Sequence, residues 1–260
     1  RYIIGGIVKM DITLLQRSID WCKPEKNRLD IERMIAESPK TDLFVLAEMF
    51  TTGFCMKPAE VAENSEDSVT LQWMKRVAVE RQCALAGSVA VEEDGRYYIR
   101  FYFVFPDGSV EHYDKRHLFT YGGEHLVYTP GTKRVIVEYK GVRILLQVCY
   151  DLRFPVWSRN NNDYDLILYV ASWPTSRISV WDVLLRARAI ENQCYVVGVN
   201  RVGTDLVTGY CGHSAAINAY GKEIIELGEG ETISSFSVDL PALQTFRKNF
   251  PVLEDRDLLS

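Results

Sequence analysis

Short apolar runs that stop abruptly at turn residues recur along this chain, and they constrain the fold more than any other feature of the sequence. Residues 42–47, 142–148, 165–171 and 194–199 are such runs, apolar at consecutive positions rather than at alternate ones. That is the pattern of strands covered on both faces, as in parallel or mixed sheets packed between other layers. Helical patterns fall at 24–38, with Pro24 in the first turn, and at 67–81, 180–192 and 241–249. From Cys83 onward strands are joined by tight turns. Asp94-Gly95 and Asp107-Gly108 lie between apolar runs and predict hairpins that join strands at 97–105 and 110–113. Residues 135–139 and 142–148 form a further hairpin across Lys140-Gly141, and 121–132 reads as a glycine-rich loop. Strands at 11–16, 214–218, 223–226 and 232–238 complete the pattern. Strand–helix alternation at both ends, with hairpins between, argues for one α/β domain of mixed sheets covered by helices.

Composition narrows the class of partner. The chain has 260 residues, 47% hydrophobic and 25% charged, with a formal net charge of −5, and so has no basic footprint for nucleic acid or for an anionic membrane surface. No apolar run approaches the roughly 18 to 20 residues that would span a bilayer. The expected partner is therefore a small molecule. None of the six cysteines forms a C-x-x-C pair, so their spacing carries no zinc or redox signature. Several lie inside apolar runs, which suits reduced thiols in a cytoplasmic protein. The apolar segment at the start is too short for a secretory signal. Residues 1–9 are read as an upstream extension, and 10–260 as a single domain.

Three residues with reactive side chains stand where strands end, and a fourth lies in a glycine-bounded loop. Cys149 closes the 142–148 run just before Tyr150-Asp151, where a sharp turn can present a nucleophile. A small buried core residue would fit the same position. Glu48 ends the 42–47 run and is either a solvated strand end or a carboxylate in a pocket at the carboxyl end of a sheet, where partial burial would suit a general base. Lys115 follows the 110–113 strand in Tyr113-Asp114-Lys115-Arg116-His117 and could stabilise a thiolate or an oxyanion, or simply be solvated. Glu124, in Gly122-Gly123-Glu124-His125, is open to the same two readings. The four histidines leave a histidine base open on composition alone.

Three stretches together are more specific. Leu46-Ala47-Glu48-Met49-Phe50, Tyr113-Asp114-Lys115-Arg116-His117-Leu118-Phe119 and Val148-Cys149-Tyr150-Asp151-Leu152-Arg153-Phe154-Pro155 resemble the three signature motifs of the nitrilase superfamily of carbon-nitrogen hydrolases. That superfamily places a glutamate, a lysine and a cysteine at these positions, in this order. The resemblance continues from Met10 almost to the end, through Ala171-Ser172-Trp173-Pro174, the 186–193 segment and the 198–203 segment. Glu48 to Phe54 and Val170 to Pro174 are most similar to the bacterial omega-amidases, which hydrolyse the terminal amide of 2-oxoglutaramate and 2-oxosuccinamate. One departure is Ile99, where the family commonly has asparagine; an apolar residue there could cost a hydrogen bond.

The resemblance implies an α-β-β-α sandwich: two mixed β-sheets face to face with helices outside. It implies a thioester mechanism on a small-molecule amide substrate, with no metal or organic cofactor. Cys149 would be the nucleophile and Glu48 the proton carrier, while Lys115 and the Tyr150 backbone N–H would hold the oxyanion. Glu124 would support Lys115 or the substrate. A substrate carboxylate calls for a cation, for which Arg177 is the candidate, and Phe54 and Trp173 are candidate pocket walls, although core packing would explain these two as well. A homodimer or higher homo-oligomer is expected, with 180–192 as one candidate contact surface. The alternatives are another hydrolase of the superfamily (a nitrilase or an N-carbamoyl amidohydrolase) and a non-catalytic interaction protein of the same fold.

Overall fold

The computed structural model describes residues 9–257. In chain order the first half contains β1 (Lys9–Gln16), α1 (Pro24–Glu37), β2 (Leu43–Val45), α2 (Pro58–Val61), β3 (Glu63–Asn64), α3 (Val69–Arg81), β4 (Ala84–Glu93), β5 (Arg96–Val104) and β6 (Val110–Asp114). The second half contains β7 (Ile136–Tyr139), β8 (Val142–Val148), α4 (Pro155–Ser158), β9 (Leu166–Ala171), α5 (Ile178–Glu191), β10 (Tyr195–Asn200), β11 (Val202–Thr204), β12 (Gly209–Cys211), β13 (Ala215–Ile217), β14 (Glu223–Glu226), β15 (Thr232–Asp239) and α6 (Leu240–Asn249). One sheet runs β15-β1-β2-β4-β5-β6, with β3 added on β4; the other runs β14-β13-β10-β9-β8-β7. The hairpin of β11 and β12 stands apart from both.

Both sheets are mixed, as expected. β1, β2 and β4 run parallel, as do β8, β9 and β10, while the hairpin strands are antiparallel. The two-residue period of a strand sorts side chains into layers. Leu146, Val148, Leu168, Val170, Val197 and Val199 point inward and pack with Ile12, Leu14, Val45, Ala86, Phe101 and Phe103 of the facing sheet. The intervening residues Leu145, Ile167, Tyr169 and Val196 point outward and pack under Trp181, Leu185 and Ala189 of α5. On the other side, Phe44, Leu46 and Leu85 pack under Ile31 and Ile35 of α1 and under Trp73, Met74 and Val77 of α3. The layers are therefore α-β-β-α, and the consecutive apolar runs exist because both strand faces are covered.

Local chemistry sets the helix ends. Pro24 occupies the first turn of α1. The Ser68 hydroxyl caps α3 by accepting the Leu71 N–H at 3.0 Å, and the Asp239 carboxylate caps α6 by accepting the Ala242 N–H at 2.9 Å. α5 lies close on its sheet because Gly198 has no side chain: a Cβ there would come within 2.6 Å of Trp181 and 2.7 Å of Leu185.

Several details differ from the sequence reading. Cys149 opens a 3₁₀ turn, Cys149–Arg153, which is followed by the single helical turn of α4 with Pro155 at its start; neither has a range in the sequence reading. The 121–132 loop contains two 3₁₀ turns, Thr120–Gly122 and Glu124–Leu126. The β11–β12 hairpin is absent from the sequence reading, since its three-residue strands are too short to show a period. Lys9, read as part of an upstream extension, pairs with Asp239 in β1; the rest of that segment lies outside the described residues. Ile99 is fully buried between the sheets, and its carbonyl accepts the Lys115 N–H at 3.0 Å. Among the described residues no helix is long and apolar enough to cross a membrane.

Adding a methyl group at Gly198 should force α5 from its sheet. Gly198→Ala is expected to lower unfolding stability by about 1–3 kcal/mol. Urea denaturation would show this as a lower midpoint at an unchanged slope.

Candidate active site

Parallel strands deliver groups to their carboxyl ends, and here two sheets do so at one place. Glu48 follows β2, Cys149 follows β8 and Ser172 follows β9, while Lys115 follows β6 on the edge of the first sheet. The four sequence candidates converge. The Lys115 ammonium lies 2.9 Å from Glu48 Oε1 and 2.8 Å from Glu124 Oε1. The second oxygen of Glu48 accepts the Ser172 backbone N–H at 2.9 Å, and Glu124 Oε2 accepts the Phe119 N–H at 2.6 Å. Glu48 and Glu124 are fully buried and Lys115 is 1% exposed. Cys149 and Lys115 line one small cavity of about 90 Å³, which Phe54, Phe119, Tyr150, Trp173, Arg153 and Arg177 help to enclose. A wider vestibule outside it shares Phe54, Phe119, Pro174, Arg177 and Thr208 with the inner cavity.

Two of these residues sit on turns that side chains rarely tolerate. Cys149 has φ 45° and Met49, directly after Glu48, has φ 46°. A left-handed conformation at a non-glycine residue costs on the order of 1–3 kcal/mol, so the surroundings must enforce it. Asp151 does so at the cysteine turn. It is fully buried, and its carboxylate accepts the Val148 N–H at 3.0 Å and the Tyr113 hydroxyl at 2.8 Å. It also meets the His117 N–H at 2.9 Å and His117 Nδ1 at 2.7 Å. One carboxylate thus locks the turn carrying Cys149 to the segment carrying Lys115. At the glutamate turn the Ser88 hydroxyl accepts the Met49 N–H at 3.0 Å, and the Gly53 N–H bonds the Met49 carbonyl at 2.8 Å.

The electrostatics follow from burial and charge count. Burial by itself favours the neutral form of Lys115. Glu124 and Glu48, aided by Cys149, outweigh it and hold the ammonium charged well above its ordinary range. Burial, together with the Glu48 carboxylate, pushes the Cys149 thiol well above its usual range, against the pull of Lys115. Burial also raises Glu124, with Lys115 opposing. The resting thiol therefore keeps its proton until a neighbouring base removes it. Tyr150 is the second residue of the 3₁₀ turn that Cys149 opens, where the leading backbone N–H groups have no partner within the turn, leaving a donor beside the sulfur.

The remaining sequence candidates are also here. Phe54 lies under the ammonium, 5.6 Å from ring centre to Nζ. Trp173 lines the cavity yet is 3% exposed, and its indole N–H donates to the Arg177 carbonyl at 2.8 Å. It is both wall and core. The Arg177 guanidinium lies over Phe119 at 5.1 Å. Sequence reasoning missed Arg153, which reaches the same cavity across the Trp173 ring at 5.3 Å, together with Asp151, Ser172 and Tyr210. Arg153 and Asp151 stand inside the third motif, and Ser172 precedes Trp173, so proximity to a motif was the available signal. Tyr210 came from a hairpin with no sequence signature.

The chain matches the family model described as "Carbon-nitrogen hydrolase" over residues 11–248. It is 46% identical over 251 residues to the omega-amidase YafV of Escherichia coli strain K12, covering 95% of this chain and 97% of that one. It is 33% identical to the 2-oxoglutaramate amidase of Bacillus subtilis over 253 residues, covering 95% of this chain and 98% of that one. Among solved structures, the CN-hydrolase superfamily protein XC1258 of Xanthomonas campestris, which carries an arsenic adduct in its active site, superposes with a TM-score of 0.94. It is 40% identical, with 97% of this chain and 98% of that one covered.

Glu48→Gln removes a charge that holds the Cys149 thiol protonated, so the thiolate should form at lower pH in this variant. The pH profile of Cys149 alkylation by iodoacetamide, followed by mass spectrometry, should shift towards acid. An unchanged midpoint would separate Glu48 from the sulfur.

Proposed function

The chain belongs to the carbon-nitrogen hydrolase family, and from that premise we propose that it hydrolyses the terminal amide of small ω-amido acids of the 2-oxoglutaramate and 2-oxosuccinamate type. The observation that carries this reading is the shared cavity of Cys149 and Lys115, with Glu48 bonded behind them to the same ammonium. In this reading the Cys149 sulfur attacks the amide carbon while its proton passes to Glu48. The carbonyl electrons move onto oxygen, and the oxyanion lies between the Lys115 ammonium and the Tyr150 N–H. Loss of one such donor typically costs about 3–4 kcal/mol of transition-state stabilisation. Collapse breaks the C–N bond, and Glu48 returns its proton to the leaving ammonia. Water then gives a proton to Glu48 and adds to the thioester, and the C–S bond breaks as the thiol regains its proton. Glu124 keeps Lys115 charged and fixed throughout.

The activities for which the relatives are named support the substrate class, and two cations support its carboxylate. Arg153 and Arg177 both border the cavity, and each lies over an aromatic ring that fixes its guanidinium plane. A small cavity with two arginines suits a short linear acid better than a bulky or neutral amide. The same reading includes a homodimer through the outer face of α5, where Val183 and Ile190, one heptad apart, are 65% and 50% exposed. It also includes a cytoplasmic setting, which suits six free thiols.

Ammonia release from a panel of ω-amides, nitriles and N-carbamoyl compounds tests the activity. The 2-oxo-acid ω-amides should be turned over fastest, and Cys149→Ala should reduce their turnover to background in a folded protein. Preferred turnover of nitriles, or carbon dioxide release from a carbamoyl group, would move the assignment to another member activity. For carboxylate recognition, Arg153→Met and Arg177→Met should each raise KM for the ω-amido acids at least tenfold. They should change kcat/KM for a neutral aliphatic amide less than threefold. Equal losses on both substrates would assign the arginines to structure.

A further inference from the structure

A second cluster of reactive side chains lies away from the cavity and takes no part in the amidase reading. Cys211 ends β12, His213 follows two residues later, and Glu229 comes from the loop between β14 and β15. One sulfur, one ring nitrogen and one carboxylate oxygen from these residues all lie within 4.8 Å of one another. We propose that they form a binding site for a borderline-soft divalent cation of the zinc type.

The donor set argues for that class of ion. A thiolate with an imidazole and a carboxylate is a zinc-like combination, whereas magnesium and calcium take oxygen ligands. Tetrahedral bonds of about 2.0–2.3 Å place neighbouring donors roughly 3.3–3.6 Å apart, so from separations within 4.8 Å the cluster must tighten by at most roughly 1.5 Å. Glu229 is exposed and can supply that movement through its side chain. Three protein donors leave the fourth position to water. The Cys211 thiol loses its proton to solvent as its sulfur–metal bond forms.

The surroundings fit a built site. Both oxygens of Asp182 lie 3.2 Å from His213 Nδ1, which leaves Nε2 as the nitrogen available to a cation. A carboxylate on the far nitrogen is the usual support of a metal-binding histidine. The Trp181 indole N–H holds the His213 carbonyl at 2.8 Å, and His213 itself is left-handed, with φ 58°. The fully buried Gln16 ties the two donor-bearing segments together. Its amide nitrogen donates to the carbonyls of Gly228 and Gly230, on either side of Glu229, at 2.7 Å each. Its amide oxygen accepts the Ser214 N–H, next to His213, at 2.9 Å. Glu231 is anchored on the Ser18 N–H at 2.9 Å, which fixes the same loop from its other end. β12 also carries Tyr210 into the wall of the inner cavity, so a cation here would brace the hairpin behind that wall.

Calorimetric titration of zinc into the full chain tests the site, with Cys149→Ala run in parallel to remove the thiol in the amidase cavity. One equivalent should bind to both proteins. Cys211→Ser and Glu229→Gln should each weaken binding at least tenfold, and Asp182→Asn should weaken it roughly 10- to 100-fold. Glu229→Gln changes an exposed side chain and so keeps the test independent of folding. Cobalt bound in place of zinc should give a thiolate-to-metal charge-transfer band that survives Cys149→Ala and disappears in Cys211→Ser. Binding that is lost in Cys149→Ala, or that is equal in the parent and in Cys211→Ser or Glu229→Gln, would overturn the proposal.

Discussion

A single ammonium buried between two carboxylates is the constraint on which the rest of this molecule depends. Lys115, Glu48 and Glu124 are all removed from water, and none could stay charged there alone. Their mutual attraction offsets the desolvation only while the geometry is kept, and breaking a buried pair of this kind typically costs about 3–5 kcal/mol. Burial, with the Glu48 carboxylate beside it, opposes ionisation of the Cys149 thiol against the pull of Lys115, so the sulfur stays protonated next to a group that can take its proton. Resting stability and proposed reactivity thus draw on the same buried cluster.

Holding such a cluster requires rigid carriers. The β-sheets supply them, because Glu48, Cys149 and Ser172 leave the ends of strands whose two faces are both packed. The last degrees of freedom are removed by polar groups that do no chemistry in the proposed mechanism. Asp151 joins the cysteine turn to the lysine segment, and Ser88 anchors the residue after the glutamate. The left-handed conformations of Cys149 and Met49 are strain that these bonds sustain, one at the residue that lines the cavity and the other directly after Glu48.

The cavity and the Cys211–His213–Glu229 cluster meet through the β11–β12 hairpin. Tyr210 faces the cavity and Cys211 faces the proposed cation site, as adjacent residues of a strand must. Gln16, at the end of β1, gathers the loops behind that hairpin. The wall of the substrate pocket is therefore built from both ends of the chain.

Much of this was legible from residue order alone. The consecutive apolar runs of β8, β9 and β10 announced strands buried on both faces, and the Asp-Gly turns announced the hairpins around β5, because these signals depend on neighbours a few residues apart. The three motifs carried Glu48, Lys115 and Cys149, and the glycine-bounded loop carried Glu124. Other features left no local trace. Arg153 reads as an ordinary charged residue until its turn directs it into the cavity, and Asp151 until its four donors arrive from residues 3 to 38 positions away. The cation cluster is a similar case, since a loop returns Glu229 beside Cys211 and His213 with no motif to mark it. Sequence by itself determined which residue types are available and which segments are strands or helices, since both follow from short-range periodicity. Tertiary structure alone decided which charges share a pocket, because desolvation and Coulomb energy depend on distance through space and not along the chain.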